Sequence, residues 1–504
     1  MKNGANSGLI KGLRAEDLRA YGILALFGVL SALFIQREFR ADSILGAILL
    51  STTLLFVFYR DILRYKPSLG KDYQMLILLG VLVSGTILID RLFGFALEAL
   101  ARGWGRETNS YLFGIPFASG GMLVALLFDF HIAIFFSFIM GILGGLWLGN
   151  PIFSLYIFLG SLVGAFGVFR CKKRTAIVKS GLYVLGANLL VVISAYLIEG
   201  VELPISVGFS VFSSMAVVAI VSMLLPVLEY IFNVTTNISL LELLDLDQPL
   251  MKTLMIQAPG TYHHSIIVGN LVDSVAEKVG VNPLLARVAA YYHDIGKIKM
   301  PEYFIENSPQ APLKHEKLTP HMSSMILISH VKEGVELARQ YKLPKPIIDI
   351  IQQHHGSSLI TYFYQKAKTG EEEPSEEAYK YLGPKPQSRV AALVMMADAV
   401  EAASRVLIEP TPARIKGLVD KIIDHMYLEG QLDECELTLK DITEIKKHFT
   451  HILTGVMHKR IDYPGFEFEE KKENGLGQKP AEKGKDRPPM DREDITEGST
   501  YTRA

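Results

Sequence analysis

Cysteine is almost absent: Cys171 and Cys435 are the only two in 504 residues, and they fall in unlike halves of the chain. That excludes a disulfide framework. No charge of one sign prevails. The 51 basic and 52 acidic residues leave a net −1, and no basic arm appears, so the composition offers no DNA or RNA partner. A cleavable signal peptide is also missing. Lys2, Lys11, Arg14 and Arg19 precede an apolar run, but no small-residue cleavage site follows, and many further apolar segments do. Histidine is scarce in the first half: of 13 residues, only His131 precedes position 263.

What is present is apolar length. Mean hydropathy is +0.27, high for a soluble enzyme. A spanning helix needs roughly 20 mostly apolar residues. Eight stretches qualify, at about 19–36, 43–59, 74–97, 111–128, 131–148, 152–169, 179–198 and 206–232. The division of 111–148 rests on Asp129 and His131 alone. Arg60, Arg64, Lys66 and Lys71 follow span two, and Arg170, Lys172, Lys173 and Arg174 follow span six. Eight spans put both clusters, the basic N-terminus and everything after residue 232 on one side. By the positive-inside rule that side is the cytoplasm of a bacterial cytoplasmic membrane. The loop after span seven carries Glu199 and Glu202 and no base. No connection between spans is long enough for a folded domain. The chain divides into a cytoplasmic segment (1–17), a membrane bundle (18–232), a connector (233–258), a globular domain (259–466) and a polar tail (467–504). The tail has too few large apolar residues to order itself.

Within the bundle, Gly141, Gly145 and Gly149 repeat at every fourth position, as do Gly160 and Gly164. This spacing lets helices approach closely, within one bundle or across a homodimer face. Asp90 and Arg91 in span three either pair with each other or serve a ligand or ion, and Glu229 near the end of span eight can reach the headgroups. The leucines at 240, 241, 243, 244 and 246 suit a short amphipathic helix, capped by Asn237 or Ser239 with Glu242 at the capping-box distance. It lies on the lipid bilayer surface or on the globular domain. Pro249 ends or bends it.

The chemistry is concentrated after residue 259. Pro259-Gly-Thr-Tyr-His-His-Ser265 is followed by Tyr292-His-Asp-Ile-Gly-Lys297, His330, Gln353-His-His-Gly356 and Met396-Ala-Asp398. A phosphodiester is anionic and repels hydroxide. Two divalent ions about 3.5–4 Å apart neutralise it and lower the pKa of a bound water. Imidazole and carboxylate donors suit first-row transition metals better than calcium. Asp294 has two oxygens and can bridge both ions, with His293 beside it, about 100° round a helix. His354 and His355 use the same adjacency at a helix end, where Gly356 lets the chain leave. Each piece alone is weak. The ordered set, in a helical context, is not a chance arrangement.

At these residues the chain resembles the HD phosphohydrolases, and more closely the seven-transmembrane HD family, the PgpH-like hydrolases of cyclic di-AMP. The likeness spans about 74–465. It rests on Ala258-Pro-Gly-Thr-Tyr-His-His-Ser265, Ala290-Tyr-Tyr-His-Asp-Ile-Gly-Lys297, Tyr303-Phe-Ile-Glu-Asn307, Gly383-Pro-Lys-Pro-Gln-Ser388, Ala397-Asp-Ala-Val-Glu-Ala402 and Arg460-Ile-Asp-Tyr-Pro464. The resemblance implies an all-α fold, a polytopic transmembrane bundle followed by a cytoplasmic all-α HD domain. It implies two divalent metals, manganese or iron, one on His264, His293, Asp294 and Asp398 and the other on Asp294, His330, His354 and His355. It further implies hydrolysis of cyclic di-AMP to pApA, that is, turnover of a second messenger. Two departures stand out. The large extracytoplasmic domain usual after the first span is replaced by about Gln36 to Asp42, and the family's Asn-Pro ahead of a His-Asp or His-Glu pair is Leu313-Lys314 here, before His315-Glu316.

Other residues have plainer readings. His263 is an alternative to His264. Lys297, taken as catalytic with Asp294, either neutralises a substrate phosphate or complements its helix C-terminus. His315 and His321 lie near enough for substrate contact, His448 and His451 have i, i+3 spacing, and His131 reads as a packing residue. Rival functions are cyclic di-GMP or nucleotide phosphate hydrolysis and a nucleotide receptor with an inactive HD domain. Against the first, Gly356 is followed by Ser-Ser-Leu, not Tyr-Pro. Against the last, no ligand of the set is lost.

Overall fold

The computed structural model describes residues 15–36, 40–103, 109–169, 173–370 and 374–457. Lys2, Lys11, Arg14, Arg170, Cys171, Lys172, His458, the 460–464 motif and the tail lie outside them. The described residues are helical, with one isolated β-bridge, Leu359 with Lys380.

Eight helical segments are long and apolar enough to cross a membrane: Leu18–Ile35, Ala41–Tyr65, Tyr73–Gly103, Asn109–Leu127, Phe130–Leu148, Pro151–Val168, Thr175–Glu199 and Leu203–Phe232. The protein is a multi-pass membrane protein. Large apolar side chains on its outer faces, such as Phe95 at 74% and Leu197 at 76% exposure, have the place of lipid-facing groups. The loop ends alternate as eight passes require. His131 Nε2 meets Asp61 at 2.9 Å and Lys66 lies 4.0 Å from Asp129 at one end. At the other, Asn150 donates to Glu199 at 2.9 Å.

Asp129 caps the fifth span by accepting from Ile132 N, which explains the break in the long apolar run. The fourth span is not one helix. A 3-10 turn, Asn109–Gly114, gives way at Ile115-Pro116 to a helix over Ala118–Leu127. Neighbours satisfy the freed carbonyls: Tyr156 donates to Phe113 O, Ser213 to Ile115 O and Ser161 to Phe117 O. The glycine pattern is used inside the bundle. Gly141 and Gly145 face Ser154 of the next span, while Gly160 and Gly164 face Asn188 and Val184. Gly149 instead ends its helix at φ +67. Asp90 and Arg91 do not pair. Arg91 donates to the carbonyls of Phe34 and Gln36, and Asp90 is buried with its Oδ1 unbonded.

The connector helix, Asn237–Leu243, is capped by Thr236, whose hydroxyl accepts from Ser239 N. The cap is therefore upstream of Asn237 and Ser239, and Glu242 closes no capping box. It pairs with Arg174 from the loop after span six. The helix lies against the globular domain: Leu240 joins that domain's core, and Tyr292 donates to Leu243 O at 3.0 Å. Pro249 does not end this helix. It opens the next, Pro249–Gln257, where its missing N–H costs nothing.

Four helices carry most of the globular core: Pro259–Ala276, Pro283–Tyr292, Arg389–Ser404 and Leu439–Val456. Their buried faces include Leu271, Val288, Leu393 and Phe449. The last helix has a full capping box, Thr438 with Asp441.

Candidate metal centre

Five short pieces of chain bring seven side chains together. His264 sits in the second turn of the helix Pro259–Ala276. His293 caps the helix Pro283–Tyr292, and Asp294 follows in the turn beyond it. The pair thus lies at a helix end, where Asp294 is free of helical geometry. His330 comes from the middle of Pro320–Gln340. His354 caps Lys345–Gln353 and His355 follows, before Gly356 turns the chain at φ +52. Asp398 lies within Arg389–Ser404. Gly296 is required by contact: a Cβ there would strike the His330 carbonyl and the Gly334 amide, so only glycine lets these segments meet.

The side chains form two groups that share Asp294. In the first, His264 Nε2 is 3.3 Å from His293 Nε2 and 3.0 Å from Asp398 Oδ1, and Asp294 Oδ2 is 3.3 Å from His293 Nε2. In the second, His330 Nε2 is 3.3 Å from His354 Nε2 and from Asp294 Oδ1. His355 belongs to the second group, with its Nδ1 3.7 Å from Asp398 Oδ2. Within each group the donor atoms lie within 4.8 Å of one another. One oxygen of Asp294 faces each group.

The outward nitrogens assign the tautomers. His293 Nδ1 lies 2.7 Å from Ala290 O, His330 Nδ1 2.5 Å from Leu327 O and His354 Nδ1 2.7 Å from Ile351 O. Carbonyls only accept, so these Nδ1 atoms carry the protons and the Nε2 lone pairs turn inward. His264 Nδ1 finds a carboxylate, Glu401 Oε2, at 2.5 Å, and Glu401 is held by Arg405. Nitrogens converging at 3.3 Å repel one another unless a proton or a metal ion lies between them. Neither buried oxygen of Asp294 accepts a well-directed hydrogen bond, although Lys297 Nζ stands 2.7 Å from Oδ2. This donor set fits divalent metal ions.

Protonation agrees. Burial would push Asp294 up, but Lys297 and His293 outweigh it and hold the carboxyl well below its usual range. Asp398, also raised by burial, is held well down by His264 and His293. Burial lowers His354, and burial with the neighbouring His354 lowers His355 much further. A metal takes ionised carboxylates and neutral imidazoles, so an ion in the first group would release the protons that the carboxylates hold on His264 and His293.

A cleft of about 920 Å³ opens above this centre. Lys297, Phe304, His315, Tyr362 and Tyr381 are among its walls. Tyr381 stacks on His355 with ring centroids 4.2 Å apart. Lys297 is not devoted to a helix terminus, since it bridges Asp294 and Glu306. His315 lines the cleft and bonds Tyr303 O through Nε2. His263 is exposed and joins neither group. His321 packs on Tyr379 and is not among the cleft-lining residues. His448 and His451 line a separate surface hollow with Lys278, Lys440 and Lys447 and belong to neither group.

Sequence reasoning overlooked Glu401 and Glu306. Glu401 had a signal: it follows Asp398 by three residues, so both share a helix face. Glu306 had only its place in Tyr303-Phe-Ile-Glu-Asn307.

Two family models match in succession. The model for a 7TM receptor with intracellular HD hydrolase matches 42–236, and the HD domain model matches 261–403. The first segment holds seven of the eight spans. The cyclic-di-AMP phosphodiesterase PgpH of Bacillus subtilis is 35% identical over 460 residues, which are 89% of this chain and 63% of that protein. The protein of the same description from Listeria monocytogenes is 39% identical over 62% of this chain and 44% of its own length. The chain thus spans less than two thirds of either relative. A crystal structure of the L. monocytogenes PgpH HD domain in complex with cyclic-di-AMP is 46% identical, covering 43% of this chain and all of that one, with a TM-score of 0.41.

Proposed function

The chain belongs to the 7TM receptors with an intracellular HD hydrolase, and from that premise we propose that it is a metal-dependent phosphodiesterase that hydrolyses cyclic di-AMP to pApA. The observation that carries this reading is the pair of ligand groups meeting at Asp294. On it, His264, His293, Asp294 and Asp398 would hold one ion, and Asp294, His330, His354 and His355 the other. Manganese or iron fits the mixed imidazole and carboxylate donors. Bound there, the ions supply charge neutralisation of the phosphate and activation of water.

The protein's own groups do the rest. Carbonyls and Glu401 fix four of the imidazoles and Tyr381 stacks on the fifth, His355, so little reorientation is needed when substrate arrives. Lys297 presents an ammonium at the cleft wall for a phosphate oxygen. Tyr362 offers an exposed aromatic face for a base, a stacking worth about 1–3 kcal/mol. The cleft volume lies towards the upper end of the roughly 300–1,000 Å³ of small-molecule sites, as a dinucleotide needs. The reading places the HD domain, 259–466, and the basic loops in the cytoplasm, beneath the bilayer of a bacterial cytoplasmic membrane. The test is turnover by the full chain in detergent with manganese. Cyclic di-AMP should yield pApA faster than cyclic di-GMP yields its linear product. Equal rates, or none, would reject the assignment.

A further inference from the structure

The segment Tyr303-Phe-Ile-Glu-Asn307 contributes no donor to the two groups, yet it closes tightly on them. Glu306 Oε1 lies 2.8 Å from Lys297 Nζ and accepts from Thr261 Oγ1 at 3.2 Å. Asn307 Oδ1 accepts from Thr261 N, and Asn307 Nδ2 donates back to Thr261 Oγ1, both at 2.9 Å. Thr261 is fully buried, in the first turn of the helix that carries His264. Gly260 meets the backbone of Glu306 so closely that no Cβ would fit. Phe304 lies under the ammonium of Lys297 at 5.0 Å and edge-on to His330.

An acid lining a cleft for an anion is at first sight misplaced, because its field opposes binding. Its position explains it. Lys297 stands between two carboxylates, Asp294 at 2.7 Å and Glu306 at 2.8 Å. Asp294 alone would leave the ammonium free to swing about one oxygen, whereas the second carboxylate fixes its direction. We infer that Glu306 is a positioning residue for Lys297, holding the ammonium at the cleft wall where a phosphate oxygen of the substrate is bound. Asn307 and Thr261 brace Glu306, and Phe304 supports the cation from below. The inference rests on the phosphodiesterase reading for the identity of the anion. It does not rest on the identity of the base.

Glu306→Gln separates the charge from the bracing, since the amide oxygen still accepts from Thr261. In the manganese-loaded full chain it should lower kcat about tenfold or more, with KM moved less, and leave bound metal and the thermal midpoint at wild-type values. On a Lys297→Ala background the same change should do nothing further, the non-additivity expected of groups acting as one. Bis(p-nitrophenyl) phosphate, a phosphodiester without bases, serves as a second substrate, so a wrong base assignment does not hide the result. Binding of inorganic phosphate, measured by calorimetry, reads the pairing without turnover. Positioning requires Glu306→Gln to weaken phosphate binding. A simple field effect requires it to strengthen. Stronger phosphate binding, additive losses in the double variant, or loss of metal in Glu306→Gln would each overturn the inference.

Discussion

The two halves of this molecule bury the same kinds of polar residue for opposite ends. In the membrane half, His131 is satisfied by Asp61 and by stacking on Tyr65. Arg91 is spent on two backbone carbonyls, and hydroxyls of Ser161, Ser213 and Tyr156 repair the broken fourth span. Each group there is used locally, as lipid demands of any exposed backbone or charge. In the globular half, four imidazoles turn their protonated nitrogens outward and leave the others facing one another. Asp90 and Asp294 are equally buried carboxylates. Only Asp294 is surrounded by inward-facing nitrogens. Burial of an ionisable group therefore does not mark a site by itself. Convergence of unshared lone pairs does.

Replacing the two aspartates tests this contrast with the largest effect. Asp294→Ala should abolish turnover and lower bound metal. Losing several kcal/mol of charge stabilisation at about 1.4 kcal/mol per tenfold means roughly a thousandfold or more. Asp90→Asn should leave metal content, by elemental analysis, at wild-type level. Equal metal loss in both would erase the distinction.

The histidine contrast is the next in size. Glu401→Gln weakens the acceptor that orients His264 and should cost about 10–100-fold in metal affinity or activity. His131→Ala should leave metal affinity, titrated in detergent, unchanged. A smaller effect is expected from removing the membrane half altogether. All seven donors follow residue 263, and the connector helix packs into the globular core. A chain beginning at about 240 should bind metal and cleave cyclic di-AMP. A soluble, metal-loaded chain of that length that leaves the substrate intact, while the full chain cleaves it, would show that the bundle gates the site. Least of all, Arg174→Ala removes a half-exposed pair with Glu242 and should change the unfolding midpoint by the equivalent of about 1 kcal/mol at most.

The spans and the convergent set were legible because each has a strong period or chemistry. Apolar runs of spanning length leave little choice of structure, and the break at Asp129-Phe130-His131 announces its own cap. What was hidden is instructive. The fourth span reads as continuous because every residue around Pro116 is apolar or small, and hydropathy cannot see a change of helical pitch. Thr236 was passed over for Asn237 and Ser239 because all three are good caps, and only the backbone decides which stands outside the helix. Asp294 was expected on a helix, but a chain that must present both carboxylate oxygens gains from leaving it. Glu306 lies 45 residues from Thr261 in sequence, a tertiary contact that no local pattern encodes.

On the proposed reading, two ions meeting at Asp294 perform the hydrolysis. The most direct measurement is to strip the full chain of metal with a chelator and return manganese stepwise. Bound ions per chain and pApA formed are followed together. Two-ion hydrolysis at Asp294 requires saturation at two ions, with turnover of cyclic di-AMP rising as the second binds and absent without metal. Turnover in the metal-free chain, or two bound ions with cyclic di-AMP left intact, would contradict it.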